Sequence, residues 1–390
     1  MRVAVVAGPD PGHAFPAIAL CLRFLAAGDL PTLFTGRDWL DTARAAGLDA
    51  TELLGLDPTA LDDDGDVGAK IHARAARMAV LNLPGIRDLA PDLVVSDVIT
   101  ACGGMTAELL GTPWIELCPH PLYLPSKGLP PIGSGLAPGT GIGGRLRDTV
   151  MRALAARSWR TGLRQRSAAR AGIGLTPRDP GPLRRLIATL PALEVPRPDW
   201  PAEAVVVGPL HFEPTAAVLD VPPGAGPLVA VAPSTATIGT TGLAELALST
   251  LIPGEVLPAG ARVAVSRLGG MDLTLPPWAV AGLGRQDELV ARADVLICGG
   301  GHGIVAKALL AGVPLVVVPG GGDQWEMANR VVRQGSAQLV RPLTAEALAA
   351  AVREVLATPG YREAARRAGE SAATVADPVQ VCHDALRAAQ

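Results

Sequence analysis

The chain has 390 residues, of which 49% are hydrophobic and 18% charged, and its formal net charge is −3. This composition excludes general disorder and supplies enough apolar side chains for two or three domains. The near-neutral charge gives no sign of a nucleic-acid partner, and five scattered cysteines without a CxxC pair indicate neither a disulfide framework nor a zinc site.

The first residues, MRVAVVAG, enter a strand pattern directly, with no signal-peptide character. No apolar run approaches the roughly 18 residues that a membrane span needs. We therefore expect a cytoplasmic protein, with any membrane contact restricted to a peripheral one.

The first half of the chain alternates strand and helix patterns. Continuous apolar runs predict buried parallel strands at 2–8, 30–36, 91–97 and 113–118. Helical spacing predicts helices at 15–28, 38–47 and 101–111, with a turn, GPDPGH, before the first and an acidic, solvated turn at 61–70. This alternation predicts a parallel sheet with helices on both faces.

Two segments interrupt the alternation. Residues 119–144 are rich in proline and glycine and have no period, which is typical of a mobile or a ligand-binding loop. Residues 145–170 follow helical spacing and carry eight arginines against one acid. That segment is either a solvated helix face or a peripheral contact with anionic lipid or an anionic acceptor.

The alternation restarts in the second half, after a strand pattern at 201–210. Further strands are predicted at 228–234, 261–266, 294–299 and 314–320, with helices between them and two more helices at the end. We predict an N-terminal domain over 1–210, a proline-rich linker over 211–227, a C-terminal domain over 228–375, and a final helix over 376–390 that packs back towards the first domain.

The segment ICGGGHGIVAK (297–307) places a glycine cluster between a buried strand and a helix start. Gly300, Gly301 and Gly303 would let the backbone approach a ligand, and a helix N-terminus favours a phosphate. The spacing fits neither the P-loop nor the dinucleotide fingerprint. From the glycines alone, a purely structural turn remains an alternative.

A second glycine cluster, PGGGDQWEMANR (319–330), follows the next predicted strand. Asp323 is an ordinary helix N-cap on one interpretation. On the other, Asp323 and Gln324 present a carboxylate and an amide beside the first cluster, which suits the hydroxyls of a sugar.

Residues 298–331 resemble the donor-binding signature of GT-B glycosyltransferases, in particular bacterial family-1 enzymes that glycosylate natural products and lipids. The resemblance implies an α/β fold of GT-B architecture, with two Rossmann-like βαβ domains facing each other across a cleft. It implies a nucleotide-diphosphate sugar as co-substrate, with UDP or TDP as the nucleotide, and neither cofactor nor metal. Donor-binding residues implied on this basis are Gly12, Ser234, Gln286, Gly300, Gly301, His302, Gly303, Asp323 and Gln324, and Asn329 matches a signature asparagine.

The segment GPDPGHAFPAIALCLRFLAAG (8–28) resembles the opening strand, turn and helix of the same family, with its G-H-x-x-P turn. The resemblance implies that His13 is the general base and that Asp97 orients it. An imidazole titrates near working pH, and a carboxylate on its other nitrogen fixes the tautomer. The alternatives are a structural histidine and a helix-capping aspartate.

Three positions of the donor loop depart from the family pattern. Gly299 stands where a diphosphate-binding histidine is usual, Ile304 where a serine or threonine is usual, and Lys307 where a ribose-binding glutamate is usual. We hypothesise that Lys307 or His302 takes over a phosphate or ribose contact; the alternative is a solvated lysine.

The acceptor is the least determined element. By resemblance, the loop over 119–144, with His120 and Tyr123, lines the acceptor side, and we expect an apolar small-molecule or lipid-like acceptor. The leading hypothesis is an inverting glycosyltransferase, monomeric or homodimeric. The alternatives are a catalytically weak GT-B-like nucleotide-sugar-binding or auxiliary protein, and an epimerase of the same fold.

Overall fold

A computed structural model describes residues 1–57, 67–234, 239–268 and 275–389. The first seven strands are β1 (Arg2–Val6), β2 (Leu30–Thr35), β3 (Asp49–Glu52), β4 (Leu93–Asp97), β5 (Trp114–Cys118), β6 (Arg185–Ile187) and β7 (Ala204–Val206). They form one parallel sheet in the order β3-β2-β1-β4-β5-β6-β7. The helices around this sheet are α1 (Pro11–Ala26), α2 (Leu40–Ala45), α3 (Val67–Leu89), α4 (Cys102–Leu110) and α5 (Gly141–Ala171). Residues 61–66 of the predicted acidic turn lie outside the described residues.

The second sheet is also parallel. Its strands are β8 (Leu228–Ala232), β9 (Arg262–Ser266), β10 (Ala279–Gly282), β11 (Val295–Cys298), β12 (Leu315–Val317) and β13 (Ala337–Leu339), in the order β10-β9-β8-β11-β12-β13. Its helices are α6 (Leu243–Thr250), α7 (Gln286–Arg292), α8 (His302–Leu310), α9 (Asp323–Gln334), α10 (Ala345–Ala357) and α11 (Pro359–Glu370), and α12 (Pro378–Ala389) ends the chain. The prediction of two final helices was wrong, because α10, α11 and α12 all follow β13.

Burial on both faces explains why the strands read as continuous apolar runs. In β1, Val3 and Val5 enter one core cluster, whereas Ala4 and Val6 enter another on the opposite face. All five residues of β4, β5 and β8 are buried. Helices therefore cover both faces of each sheet, and the predicted fold class of two parallel-sheet α/β domains is confirmed.

Each sheet has one place where the strand order reverses. In the first sheet β1 lies between β2 and β4, and in the second β8 lies between β9 and β11. At such a point the chain connections that follow the two adjacent strands run to opposite faces of the sheet. A crevice therefore forms at the carboxyl ends of these strands, and open α/β sheets bind ligands there. The two crevices lie beyond β1 and β4, and beyond β8 and β11.

The last helix, α12, packs against the first domain. Val379, Cys382 and Ala385 join the core cluster that contains much of α1, and His383 Nε2 lies 2.8 Å from Asp29 Oδ2. Within the described ranges, no helix is long and apolar enough to cross a bilayer.

Candidate active site

His13 lies on the first turn of α1, at the first crevice. The predicted helix start at residue 15 was wrong, since α1 begins at Pro11. Proline suits this place because its φ angle is helical and an N–H at the first helical position has no intrahelical acceptor. The backbone N–H of His13 donates to the carbonyl of Asp10 at 2.9 Å. The first turn of a helix therefore fixes the backbone of His13, where a turn before the helix was predicted.

His13 and Asp97 form a hydrogen-bonded pair across the crevice. His13 Nδ1 lies 2.7 Å from Asp97 Oδ1, and the Asp97 side chain is fully buried at the end of β4. The other oxygen, Asp97 Oδ2, accepts the backbone N–H of Ile99 and the hydroxyl of Thr100, each at 3.1 Å. Because a carboxylate only accepts, it holds the proton on Nδ1 and leaves Nε2 as the basic nitrogen of a neutral imidazole.

Opposing effects set the pKa of His13. Burial lowers this pKa, but the negative charge of Asp97 and the hydrogen bond to it raise it, with smaller contributions from Asp10 and Asp323. The net result is a pKa above the ordinary histidine value. Since Asp323 belongs to the second domain, both domains contribute to this increase in the pKa of His13.

The two residues predicted on the acceptor side lie beside His13. The ring centroids of His13 and His120 are 6.4 Å apart in an edge-to-face arrangement, and His120 stacks on Tyr123 at 4.5 Å. His120 Nδ1 donates to the carbonyl of Pro121 at 2.7 Å. Burial, followed by the nearby positive charge of His13, lowers the pKa of His120, so this ring is a neutral wall of the crevice.

The first glycine cluster lies at the second crevice, and its members differ in what they allow. A Cβ on Gly299 would lie 2.9 Å from Ser234 Cβ, and one on Gly300 would lie 2.9 Å from Val317 Cγ1, at a φ of +84°. These two glycines are required by packing and backbone conformation. In contrast, a Cβ on Gly301 or Gly303, like one on Gly12 in the first domain, would meet nothing within 4 Å.

The pair predicted to bind the sugar occupies two different environments. Gln324 is only 2% exposed; its Nε2 donates to Ser234 Oγ at 2.7 Å, and its Oε1 accepts the N–H of Gly320 at 3.1 Å. Asp323 is exposed at the start of α9. The structure therefore brings Ser234, Gln324 and the glycines together, and Asp323 presents its carboxylate to the cleft.

Lys307 is neither solvated nor an unpaired cation. Its side chain is 9% exposed, and its Nζ lies 2.5 Å from Glu213 Oε1 and 3.2 Å from Gln286 Oε1. Glu213 Oε2 accepts the backbone N–H of Gln286 at 2.9 Å. Burial and the ion pair rule out the solvated lysine, whereas the hypothesis that Lys307 takes over a phosphate or ribose contact stays a prediction.

His302 connects the two domains. Its Nε2 lies 2.8 Å from Thr189 Oγ1, and its ring also bonds the backbone of Pro119, which has only a carbonyl to offer. The other ring nitrogen is thus a donor, and Nε2 accepts the threonine hydroxyl. Burial, followed by the charges of His120 and His211, lowers the pKa of His302 to about 3. This imidazole is therefore neutral and bonded to the first domain, and the hypothesis that His302 takes over a phosphate or ribose contact stays a prediction.

Helix α9 also holds the proline- and glycine-rich loop of the first domain. The Glu326 carboxylate accepts the backbone N–H groups of Gly133 and Gly135, both at 3.1 Å. Trp325 Nε1 donates to the carbonyl of Ser134 at 3.2 Å. Asn329, the signature asparagine, donates to the carbonyl of Trp325 at 2.8 Å within the same helix. The loop next to His120 is therefore anchored one turn beyond Asp323.

Four residues that bond to the predicted site residues or anchor the adjoining loop were not predicted from the sequence. Glu213 and His211 lie in the proline-rich linker, which has no period, and no signal marked them. Burial, followed by the positive charge of Lys307, lowers the pKa of His211 to about 4, and the backbone of Gly303 partly opposes this change. Thr189 and Glu326 resemble ordinary polar residues at a strand end and on a helix. The partners of these four residues are apparent only from the folded structure.

The comparisons with known proteins agree with this geometry. Residues 285–387 match the family "Erythromycin biosynthesis protein CIII-like, C-terminal domain". The chain is 29% identical to the 4'-demethylrebeccamycin synthase of Lentzea aerocolonigenes over 95% of this chain and 96% of that protein.

Solved structures show the same fold over the full length. The glycosyltransferase SnogD from Streptomyces nogalater superposes with a TM-score of 0.73 at 24% identity, covering 100% of this chain and 99% of that one. The Streptomyces sp. SF2575 glycosyltransferase SsfS6, complexed with thymidine diphosphate, superposes with a TM-score of 0.68 at 20% identity, covering 98% and 99%. These findings confirm the GT-B architecture and the resemblance to family-1-like natural-product glycosyltransferases.

Proposed function

We propose that the chain is a glycosyltransferase of the natural-product type, that it takes its sugar from a nucleotide donor, and that it inverts the anomeric carbon during transfer. We propose a hydroxyl of an apolar small molecule or lipid-like compound as the acceptor. The observation that carries this proposal is the His13–Asp97 pair at 2.7 Å, whose imidazole pKa is also raised by the charge of Asp323 in the second domain.

The proposed step moves one proton and one sugar. The acceptor oxygen forms a bond to the anomeric carbon while the bond from that carbon to the diphosphate oxygen breaks. The hydroxyl proton passes to Nε2 of His13, and the buried Asp97 carboxylate stabilises the imidazolium that forms. Attack from the His13 side, opposite the leaving diphosphate, inverts the configuration.

The start of α8 is the proposed diphosphate site. Its N-cap, Gly301, has extended backbone and no side-chain cap, so the first-turn N–H groups lack a capping acceptor. The helix dipole and these donors stabilise the charge that develops on the leaving group. Gly301 and Gly303 leave space on this side of the loop, whereas side chains there would narrow it.

The donor sugar and the ribose are assigned to two carboxylates. Asp323, exposed at the start of α9, accepts hydroxyl hydrogen bonds from the sugar, and the buried amide of Gln324 fixes that helix start against Ser234 and Gly320. Glu213 brings a carboxylate to Lys307, at the position where the family resemblance implies a ribose-binding glutamate. We assign the ribose contact to Glu213 for this reason, with Lys307 as the residue that positions it.

The acceptor side is assigned to the stacked pair of His120 and Tyr123 and to the adjoining loop. Both rings are largely buried and lie next to His13. Aromatic faces favour flat or apolar molecules, because they offer contact area and few hydrogen bonds. The loop that follows is anchored on α9, so acceptor and donor sites are held in one orientation.

The test follows release of nucleotide from a panel of UDP- and TDP-sugars. We expect His13→Gln to lower turnover by about 10² to 10⁴-fold without lowering nucleotide affinity. His72→Gln, on α3 and away from the cleft, is the matched control and should behave as the parent protein. Full activity in His13→Gln would contradict the assignment of the base. Failure to bind any nucleotide sugar would contradict the proposal and favour an auxiliary role.

The pH dependence tests the Asp97 role separately. A general base must be neutral, so kcat/KM should fall as the pH drops below the raised pKa of His13. Asp97→Asn removes the main cause of the increase and leaves burial, which lowers the pKa. We therefore expect the acidic limb of the profile to move to lower pH while the maximal rate falls. An unmoved limb would show that Asp97 does not set the pKa of the base.

A further inference from the structure

Helix α5 carries an unusual charge for this chain. Its 31 residues contain eight arginines and one aspartate, whereas the whole chain has a formal net charge of −3. Four of these arginines have assigned partners inside the fold: Arg147 with Asp148, Arg152 with the Leu129 carbonyl, Arg166 with Asp179, and Arg170 with Glu108. The other four form no ion pair within the part of the chain that the structure describes: Arg145, Arg157, Arg160 and Arg164.

The outer face of α5 divides into an apolar and a basic part. Ile142, Leu146, Val150 and Leu154 follow one another at intervals of four and are between 51% and 90% exposed. Ala153 continues the same face, and Arg157, Arg160 and Arg164 follow at steps of four, three and four. One side of this long helix therefore presents an apolar N-terminal half and a cationic C-terminal half to solvent.

We propose that this face docks α5 onto an anionic lipid surface. The apolar residues would enter the boundary between headgroups and acyl chains, and the three arginines would contact lipid phosphates. Single exposed apolar residues are normal on a protein surface. Here four of them lie on one helix face and are followed by three arginines, which suits the acyl boundary and the phosphates of a membrane surface. The occupant is lipid, because acyl chains and phosphates supply apolar and anionic chemistry at one surface.

Pairing with a second copy of the same face fits less well. In an antiparallel twofold pair centred near Ala153, Ile142 would lie opposite Arg164, and Leu146 opposite Arg160. In a parallel pair, each arginine would lie beside its own counterpart, which like-charge repulsion opposes. An acidic partner protein is a different occupant and becomes an outcome of the test.

The consequence for catalysis rests on the proposed function. The loop that carries His120 and Tyr123 leads directly into α5, at Gly141. Docking of α5 would hold this acceptor-side loop near the lipid surface, where an apolar acceptor accumulates. Vesicle binding itself needs no activity, so its failure and a failure of the glycosyltransferase proposal are separate results.

The experiment is flotation of the full-length chain with two kinds of vesicle, phosphatidylcholine alone and phosphatidylcholine with phosphatidylserine. We expect binding to the anionic vesicles that weakens with salt. R157Q/R160Q/R164Q should lower the partition coefficient about a hundredfold, at about fivefold per arginine. L146S/L154S should also lower it, and R353Q/R366Q/R367Q, with the same change of charge on α10 and α11, should not. Circular dichroism checks that each variant is folded.

Three results would overturn the proposal. The first is equal and weak binding of the parent protein to both vesicles. The second is an equal loss in the control triple variant, which would indicate a general charge effect. The third is self-association, or capture of an acidic protein, that L146S/L154S abolishes while vesicle binding is absent.

Discussion

The pair formed by Lys307 and Glu213 allows a sharp prediction, because it joins the linker to α8. Both side chains are nearly buried, at 9% and 12% exposure, and the two charged atoms lie 2.5 Å apart. Glu213→Gln removes the negative charge and leaves Lys307 with neutral amide oxygens as its acceptors, one of them Gln286 Oε1 at 3.2 Å. The substitution therefore leaves the buried ammonium of Lys307 without a negative charge beside it.

The expected cost follows from that geometry. In an effective dielectric of about 20, two unit charges at this distance attract by about 7 kcal/mol, and desolvation offsets much of this. Removing one partner of a buried pair costs about 3 kcal/mol or more, because the remaining charge stays buried. For a domain of this size, that corresponds to a fall in Tm of roughly 6 to 12 °C.

Thermal unfolding of a double-mutant cycle measures this cost. Glu213→Gln should lower the midpoint of the second-domain transition, and Glu213→Gln with Lys307→Gln should recover most of the loss, since no buried charge is left. Glu288→Gln, exposed on α7, is the matched control and should change little. If Glu213→Gln unfolds at the parent temperature, or if the double variant shows no recovery, the pair does not join the linker to α8 as described.

Three further predictions concern the cleft. His302→Gln should make the free energy of unfolding less sensitive to acid. In the unfolded chain His302 binds a proton below its ordinary pKa of about 6.5, whereas in the folded chain it does so only near 3. The parent chain should therefore lose about 2 kcal/mol of stability between about pH 7 and 5, which urea unfolding measures. Gly303→Ala should leave stability unchanged or raise it by up to about 1 kcal/mol while weakening UDP or TDP binding in calorimetry; Gly300→Ala should destabilise because of its left-handed φ. Glu326→Gln should raise the acceptor KM more than the donor KM and speed trypsin cleavage at Lys127, since it loosens the loop; equal proteolysis would refute the anchoring role.

Much of the fold was predictable from the periodicity of apolar residues and from the polar residues at strand ends. PDLVVSD reads as a buried strand with an acid at its end, and the structure has β4 ending at Asp97. The reversal of strand order then brings Asp97 to His13, although 84 residues separate them. Parallel topology follows from local patterns, because each helix and strand is stabilised by its own apolar face.

Contacts between distant segments were not predictable from such patterns. Lys307 finds its partner 94 residues earlier in a segment with no period, and His302 finds Thr189 in the other domain, 113 residues away. The pattern marked Lys307 as a departure from the family, but the chemistry of both residues depends on how the two domains meet. The same holds for the glycines, since only the surrounding atoms show that Gly300 is needed for packing and Gly303 is not.

The most direct test of the central claim is the configuration of the released sugar. The parent protein is incubated with an α-linked UDP- or TDP-sugar, and the anomer first formed, by transfer or slow hydrolysis, is followed by NMR before mutarotation. We expect a β-anomer whose formation requires His13 and stops in His13→Gln. An α-anomer, or a β-anomer formed equally fast by His13→Gln, would contradict it.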